Sequence, residues 1–216
     1  MKNVVIIGAS GFVGTAIVEE ALTRGYQVKG IVRNPEKVTI SNPNLKLIKA
    51  DIMDAESLTE LLKGEESVIS AYNPGWTNPE IYDDTLKGYT SILKAAKNAG
   101  VKRLLIVGGA GSLYVAPNVR VMDTSTFPQE ILPGVKGLAK VLTDFLLPEK
   151  DIDWVFFSPA GNIFPGERTA KFRLGKDNLI VDNDGNSNIS VQDYAVAMID
   201  ELENANHHQE RFTIGY

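Results

Sequence analysis

The chain opens with an apolar strand that runs straight into a glycine-rich turn, and this start constrains the fold more than any other feature. The segment reads VVIIGASGFVG, from Val4 to Gly14, with glycines at positions 8, 11 and 14. Beyond it, apolar runs alternate with amphipathic stretches as far as Val107. Parallel neighbouring strands need long crossover connections, which helices usually supply. The alternation therefore predicts an α/β fold with a parallel sheet and helices on both faces.

The hydrophobic periodicity also predicts the order of the elements. In the first half we expect strands at Val4–Ile7, Gln27–Val32, Leu45–Lys49, Ser67–Ser70 and Arg103–Val107. We expect helices at Phe12–Arg24, Ala55–Leu62 (with Asp54 as its cap) and Asp84–Ala99. The second half is less regular. There we expect a loop at Gly108–Pro133 and helices at Gly134–Leu147 and Val191–Glu203. We expect strands at Trp154–Ser158 and Arg211–Ile214, and strand-like pieces near Lys171–Leu174 and Leu179–Val181. This order is typical of a Rossmann-like, doubly wound sheet.

Size and composition narrow the class of protein. The 216 residues suffice for one sizeable core, so we expect one domain over residues 1–216. The net charge of −5 argues against nucleic acid or an anionic membrane as a partner. The absence of cysteine excludes disulfides, thiolate catalysis and zinc–sulfur sites. With no signal-peptide pattern and no membrane-length apolar run, we expect a cytoplasmic protein, monomeric or homodimeric.

The glycine loop has the spacing G-x-x-G-x-x-G between a strand and a helix. In a dinucleotide site the first glycine turns the chain, the second lets the backbone approach a pyrophosphate, and the third lets the helix pack close to the sheet. The free N–H groups at the start of the helix then attract the phosphates. A ligand-free turn would show the same glycines, but the long alternating pattern behind them favours nucleotide binding.

The residue after the second predicted strand indicates whether NAD(H) or NADP(H) is bound. Sites for NAD usually carry an acid there, which bonds the adenosine ribose hydroxyls. This chain has Arg33, with Lys37 four residues on. A guanidinium can pair bidentately with a 2′-phosphate, which a carboxylate would repel. NADP(H) is therefore favoured and NAD(H) remains possible, the alternative for Arg33 being a solvated arginine at a strand end.

Several longer motifs carry a family resemblance: VGGAGSL (107–113), DWVFFSPAGNIFPGERTAKFRLG (153–175), ISVQDYAVAMIDELE (189–203) and the closing RFTIGY. With the glycine loop, they make the chain similar over nearly its whole length to the atypical NAD(P)H-binding branch of the short-chain dehydrogenase/reductase superfamily. Within that branch it resembles proteins described as NADH-flavin reductases, biliverdin-IXβ (flavin) reductase and NmrA-like proteins. The resemblance implies an NAD(P)H-dependent reductase in which residues of roughly 159–190 cover the substrate.

The same resemblance assigns cofactor contacts along the chain. Gly8, Ser10, Gly11, Phe12, Val13 and Gly14 would contact the phosphates of the cofactor, and Arg33 its adenosine ribose. Asp51 and Ile52 would border the adenine. Ser70, Ala71 and Tyr72 would line the middle of the cofactor, and Ser158, Pro159 and Ala160 would lie beside the nicotinamide. Asp51 could instead be a simple cap at the end of a strand.

The catalytic set departs from the superfamily pattern. Most members use a serine and a Tyr-x-x-x-Lys pair, in which the tyrosine protonates the nascent alkoxide. Here Ser112 is followed by Lys136-Gly-Leu-Ala-Lys140, so a lysine occupies the tyrosine position. Tyr114 is the nearest possible substitute, although it could simply pack its loop, and the two lysines could equally face solvent.

Without a dependable acid, the expected acceptor is a flavin-, quinone- or biliverdin-like conjugated ring, because such a ring can accept hydride and take its proton from water. Its walls would come from Tyr72, Trp76, Tyr114, Phe164 and Arg168. Two alternatives stay open: a non-catalytic NADP(H)-binding redox sensor of NmrA-like type, and, disfavoured by the short C-terminal region, a sugar-nucleotide epimerase or dehydratase. No metal site is expected, since His207-His208 looks like a surface pair and DNDG (182–185) like a turn.

Overall fold

The computed structural model describes residues 2–216 and is built around one eight-stranded sheet. Its strands are β1 (Asn3–Ile7), β2 (Gln27–Val32), β3 (Leu45–Lys49), β4 (Ser67–Ser70), β5 (Arg103–Val107), β8 (Asp153–Ser158), β10 (Arg173–Gly175) and β12 (Glu210–Gly215). Across the sheet they follow the order β10-β12-β8-β5-β4-β1-β2-β3. All neighbours in it are parallel except β10, which lies antiparallel to β12 at the edge.

Two small sheets complete the strands. The hairpin of β6 (Tyr114–Ala116) and β7 (Val119–Arg120) is antiparallel, whereas β9 (Asn162–Phe164) and β11 (Asn188–Ser190) pair in parallel. The helices are α1 (Phe12–Thr23), α2 (Ala55–Leu62), α3 (Ile81–Ala99), α4 (Leu132–Lys140), which continues as a π-helical segment (Val141–Leu146), and α5 (Val191–Asn204).

The core consists of two apolar layers, one on each face of the sheet. On one face α1 packs against α5, and on the other α3 packs between α2 and α4. Alternate residues of one strand therefore enter different layers: Phe157 joins the α1/α5 layer, and Phe156 joins the α2/α3/α4 layer. The predicted α/β fold with a doubly wound parallel sheet is confirmed.

The strand order places a crevice at one edge of the sheet. The chain moves from β1 outward to β2 and β3, then returns past β1 to β4 and β5. The connections after β1 and β4 therefore leave in opposite directions, and a crevice opens between their carboxyl ends. In open α/β sheets this topological switch point is where ligands bind.

The second half departs from the sequence predictions in four places. The predicted loop 108–133 contains the β6–β7 hairpin, and the predicted helix 134–147 starts two residues earlier and widens into the π-helical segment. Residues 179–181 form no strand. An isolated bridge joins Asn178 to Tyr114, the Leu179 N–H donates to the Tyr114 carbonyl, and the Val181 carbonyl accepts from the Arg173 side chain. The pairing of β9 with β11 was not predicted.

None of the helices within residues 2–216 combines the length and the apolar character needed to cross a bilayer.

Candidate functional site

The glycine loop forms a tight backbone turn at the carboxyl end of β1. Gly8 has φ +79°, in the left-handed region that favours glycine, and its carbonyl accepts a hydrogen bond of 3.0 Å from the Gly11 N–H. The Gly8 N–H donates to the carbonyl of Ile31 on β2 at 2.9 Å. The turn is therefore held both by itself and by the neighbouring strand.

Two of the three glycines are required by close backbone contacts. A Cβ built at Gly8 would lie 2.6 Å from the carbonyl oxygen of Ala71, which follows β4. A Cβ at Gly14 would lie 2.1 Å from the Gly8 carbonyl oxygen. Both distances are far below any real contact, so β1, β4 and α1 can approach this closely only without side chains at these positions.

Gly11 meets a different constraint. A Cβ there would come no closer than 3.4 Å to the Gly8 carbonyl oxygen, an ordinary van der Waals distance. Gly11 is the N-cap of α1, and no side chain caps this helix. The first N–H groups of α1, at Phe12 and Val13, are thus available to an anion beside an exposed glycine. This arrangement fits a pyrophosphate.

A cleft of about 270 Å³ lies beside this turn at the switch point. It is lined by Gly8, Ser10, Gly11, Ile31, Val32, Arg33, Asn34, Lys37, Ala50, Ile52, Ala71, Tyr72 and Asn73. The structure thus brings together seven of the predicted cofactor positions, namely Gly8, Ser10, Gly11, Arg33, Ile52, Ala71 and Tyr72. Asp51 is exposed at the rim, where its Oδ1 accepts from the Met53 N–H at 3.0 Å as a local cap.

Asn34 and Asn73 line the cleft although sequence reasoning did not select them. Each lies next to a predicted contact in the chain, so their adjacency to Arg33 and Tyr72 was the available signal. Asn34, with exposed Arg33 and Lys37, makes the end of the cleft next to β2 polar and cationic, whereas Asn73 follows β4 on the other side of β1.

Tyr72 lines the cleft but is turned toward α3. Its hydroxyl donates to the carbonyl of Asp84 at 3.1 Å, and its ring is so close to Gly88 that a Cβ there would lie 2.2 Å from Cε1. Burial raises the pKa of Tyr72 to about 12, with the Asp84 carboxylate as the next cause. The phenol is therefore neutral and occupied by a backbone acceptor.

The predicted nicotinamide end lies across the sheet at the carboxyl end of β8. Ser158 and Ala160 are buried, and Pro159 between them is half-buried. The Ser158 carbonyl accepts from the Thr213 hydroxyl at 3.0 Å, but the buried Ser158 Oγ has no hydrogen-bond partner among the residues that the structure describes. A buried unpaired hydroxyl costs free energy, and a carboxamide bound at this position would satisfy it.

The four predicted catalytic residues do not form one cluster. Arg211 on β12 donates at 3.0 Å to both the carbonyl and the Oγ of Ser112, so this serine faces β12. Tyr114 stands over the same arginine, with its ring centroid 6.0 Å from Cζ. It lines a separate groove of about 660 Å³ together with residues 115–118 and with Asn178, Leu179 and Val181.

The two lysines of α4 are on its solvent side. Lys136 is exposed, and Lys140 forms an ion pair with Asp144 one turn further along. The hydrogen bond to Asp144 raises the pKa of Lys140, which keeps the amine charged. Among these four residues the structure therefore shows no Tyr–Lys-like pair, and their catalytic roles stay predictions.

The region predicted to cover the substrate is anchored to both helices of the α1/α5 layer. Arg168 donates from Nε and Nη2 to the buried Glu20 of α1, at 2.7 and 2.8 Å. Asp193 of α5 accepts from the Thr169 and Ala170 N–H groups, at 2.8 and 2.7 Å. Arg168, which we had considered as a wall of the acceptor site, therefore serves as an ion-pair anchor. The two buried carboxylates within otherwise apolar helix faces were the signal for this anchoring.

The histidine pair is not a simple surface pair. His207 stacks on Phe212 with ring centroids 4.1 Å apart and bonds Glu201 at 2.7 Å, whereas His208 bonds Asp153 at 2.9 Å. Arg103 pairs with both of these carboxylates. The cluster lies at the amino ends of β5 and β8, on the opposite edge of the sheet from the cleft.

Comparison with known proteins agrees with this geometry. The sequence profile described as NAD(P)H-binding matches residues 8–205, from the first glycine of the cradle to the end of α5. The chain belongs to the NAD(P)H-binding family. This confirms the resemblance found in the sequence, and the matched range includes the glycine turn and all the residues that line the cleft.

Several proteins are similar to this chain over nearly the whole length of both chains. The uncharacterized protein YwnB of Bacillus subtilis (strain 168) is 42% identical over 212 residues, which are 97% of this chain and 96% of YwnB. A Bacteroides thetaiotaomicron structure, provisionally named an epimerase, is 57% identical with a TM-score of 0.94, covering 100% of this chain and 97% of that one. A Streptococcus pneumoniae structure, provisionally named an NADH-flavin reductase, is 35% identical with a TM-score of 0.86, covering 100% and 99%.

Proposed function

We propose that the protein is an NADPH-dependent reductase of a flavin-, quinone- or biliverdin-like acceptor. The observation that carries this proposal is a contrast within the site. The dinucleotide cradle is complete down to the backbone contacts of Gly8 and Gly14, while the position that should hold the proton-donating tyrosine holds an exposed lysine, Lys136. The glycine turn that binds a dinucleotide is thus present, and the tyrosine that ketone or sugar chemistry needs is absent.

The preference for NADPH rests on the cationic end of the cleft. Arg33 and Lys37 are exposed at its wall, and neither of them forms an ion pair with an acid in the described part of the chain. Two such cations favour a 2′-phosphate, which Arg33 can bind bidentately. The N–H groups of Phe12 and Val13 would bind the pyrophosphate, and Ser158 Oγ would hold the nicotinamide carboxamide.

The bound cofactor supplies a hydride, and the protein's part is to hold two flat rings in contact. An isoalloxazine or quinone that accepts a hydride becomes an anion whose charge is delocalised over its ring, and water then supplies the proton. Lys140, paired with Asp144, and Tyr72, bonded to the Asp84 carbonyl, are not needed for that step. The NADH-flavin reductase name given to the Streptococcus relative supports this acceptor class.

The test is a turnover assay with the purified protein, NADPH or NADH, and a panel of FMN, riboflavin, biliverdin and simple quinones. We expect loss of nicotinamide absorbance with at least one acceptor and a preference for NADPH. Arg33→Glu should weaken NADPH binding by about 10- to 100-fold, the loss of one or two charge-assisted hydrogen bonds, and leave NADH unaffected. Arg120→Glu is the matched control, because Arg120 is bonded to Asp123 in the β6–β7 hairpin. Equal NADPH affinities in parent and Arg33→Glu would refute the assignment.

A redox sensor that binds NADP(H) without turnover is the second candidate, and the solvent-facing lysines of α4 favour it. Tight NADPH binding together with no turnover on any acceptor would decide for the sensor. The epimerase name of the Bacteroides relative carries less weight, because Lys136 stands in the position where that chemistry needs a tyrosine.

A further inference from the structure

The loop between β4 and α3 presents an indole ring at the same edge of the sheet as the cleft. Trp76 is 55% exposed, the largest exposed fraction among the large apolar side chains of residues 2–216. Asn73, three residues earlier in the same loop, lines the cleft. A single exposed apolar side chain is ordinary on a protein surface, but this indole is held in a defined position in a loop that also lines the cleft, and that combination points to a binding role.

The indole is held in place by its surroundings. A Cβ built at Gly134, in the first turn of α4, would lie 2.9 Å from Cζ3 of Trp76 and 2.6 Å from Cδ1 of Ile81. The ring edge therefore rests in a niche that exists only because position 134 has no side chain. One side of the indole is fixed against the starts of α3 and α4, and the rest faces solvent.

The backbone of the loop is also fixed. The Gly75 N–H donates to Asn73 Oδ1 at 2.7 Å, and Gly75 has φ +114°, which disfavours other residues. The Asn78 amide donates to Asp84 at 2.8 Å, joining the end of the loop to α3. A rigid loop loses little conformational entropy when a ligand binds against it.

The placement of Trp76 connects the two halves of the site. It follows β4, whose end lines the cleft, and it touches α4, the helix that follows β5. Strands β5 and β8 are neighbours, and β8 ends at Ser158. A ring bound against Trp76 therefore lies on the α3/α4 side of the carboxyl edge, the edge at which β8 also ends.

The other aromatic residues considered as walls are engaged elsewhere. Tyr72 packs on Gly88 and bonds the Asp84 carbonyl, Tyr114 covers Arg211, and Phe164 is half-buried against Gly166. We propose that Trp76 is the surface on which the conjugated ring of the acceptor stacks, and that it selects flat aromatic acceptors over aliphatic carbonyl compounds. This assignment rests on the proposed reductase function and names the residue that recognises its acceptor.

Binding of FMN in the presence of saturating NADP⁺ tests the stacking without turnover. The probe is the visible fluorescence of FMN itself, which an indole in contact quenches and which no tryptophan of the protein contributes to. Trp76→Leu should raise the Kd for FMN by about 5- to 10-fold and abolish the quenching, whereas Trp76→Phe, which keeps an aromatic face, should change the Kd by no more than about 3-fold. The affinity for NADPH should stay unchanged in both variants.

Two further variants guard the interpretation. Leu147→Ala is the matched control: Leu147 is 51% exposed, and it lies at the other end of the α4 segment. It should leave FMN binding as in the parent. Gly134→Ala keeps the indole but pushes it out of its niche, and it should raise the Kd for FMN in the same direction as Trp76→Leu, which covers the case that the leucine variant does not fold.

The outcomes separate the two proposals. Turnover of FMN with the same KM in the parent and in Trp76→Leu would overturn the stacking role and leave the reductase standing. FMN binding that depends on Trp76, without any turnover, would keep the stacking role and refute the reductase. A parent protein that binds none of FMN, riboflavin, biliverdin and the simple quinones would overturn both.

Discussion

The most informative single substitution is Glu20→Gln, because Glu20 links the cofactor-binding helix to the region that covers the substrate side. Glu20 is 5% exposed and accepts three hydrogen bonds from two guanidinium groups: 2.7 and 2.8 Å from Arg168, and 2.7 Å from Arg24. Glutamine has nearly the same shape but no charge. The substitution therefore removes the charge of the anchor, and it also replaces one of the two acceptor oxygens by an NH2 donor, so at least one of the three hydrogen bonds is lost.

The loss of stability depends on whether each arginine still has a partner after the substitution. Breaking a buried ion pair costs about 3–5 kcal/mol when the partner is left buried and uncompensated. Here Arg24 keeps Asp200 and Glu203, and the Arg168 side chain, already 49% exposed, can return to water. Solvent screening lowers its share further, so we expect a loss of about 2 kcal/mol in the free energy of unfolding. For a chain of this length that lowers the Tm by about 4–8 °C.

The pH dependence gives this prediction a second, independent signature. The hydrogen bonds from Arg168 hold the pKa of Glu20 below its usual 4.5, against the opposing effect of burial. A carboxylate whose pKa is lower in the folded than in the unfolded state stabilises fully above pH 4.5, and this contribution disappears as the pH falls through the folded pKa. The stability difference between parent and Glu20→Gln should therefore be constant near neutral pH and close in acid.

Urea titrations at a series of pH values measure this difference directly. Glu19→Gln is the control, since Glu19 is the exposed neighbour on the same helix and should cost less than about 0.5 kcal/mol. A double-mutant cycle with Arg168→Met isolates the pair and should give a coupling of about 1 kcal/mol. If Glu20→Gln is as stable as Glu19→Gln, or if its deficit persists in acid, the anchor is not electrostatic.

Three other substitutions test the packing at the glycine turn and the cap of α2. Gly14→Ala should destabilise the fold by more than about 3 kcal/mol, because its Cβ would lie 2.1 Å from the Gly8 carbonyl oxygen. Gly11→Ala, with 3.4 Å available, should melt near the parent temperature yet bind NADPH more weakly. Equal melting temperatures for the two variants would contradict the packing argument. Asp54→Ala should cost about 1 kcal/mol in chemical denaturation, since Asp54 Oδ1 caps α2 by accepting from Glu56 and Ser57, and an unchanged unfolding midpoint would count against that cap.

The first half of the chain could be predicted because local and global signals agree there. Each buried strand of the α/β core is an apolar run, and each helix has an end signal, such as the Asp54 cap of α2 or Gly100, whose φ of +74° ends α3. The glycine loop was equally legible, because the contacts that exclude a Cβ at Gly8 and Gly14 lie within the β1–α1 unit or at the adjacent strand.

The second half depends on contacts between distant residues, which periodicity does not encode. Strands β9 and β11 are three residues each and pair across 26 positions of sequence, so neither shows an alternating pattern. Ser112 looked catalytic by its spacing, but its orientation is set by Arg211, which lies 99 residues away. The partners of Arg168 and Asp193 are likewise distant in the sequence: Arg168 bonds Glu20, 148 positions away, and Asp193 bonds Thr169, 24 positions away.

The lysine at position 136, where the superfamily has a tyrosine, can be related to the contact of Trp76 with Gly134 of the same helix. A reductase of ketones has to deliver a proton to an alkoxide as it forms, so it must hold an acid at the hydride acceptor. In this fold the helix that would carry the acid turns its lysines outward, and its first turn instead uses Gly134 to seat an indole. Under the proposed function, a helix that lacks the acid at Lys136 and seats an aromatic ring at Gly134 suits an acceptor that needs alignment rather than protonation. The proposal thus accounts for a dinucleotide cradle beside a helix without the expected tyrosine.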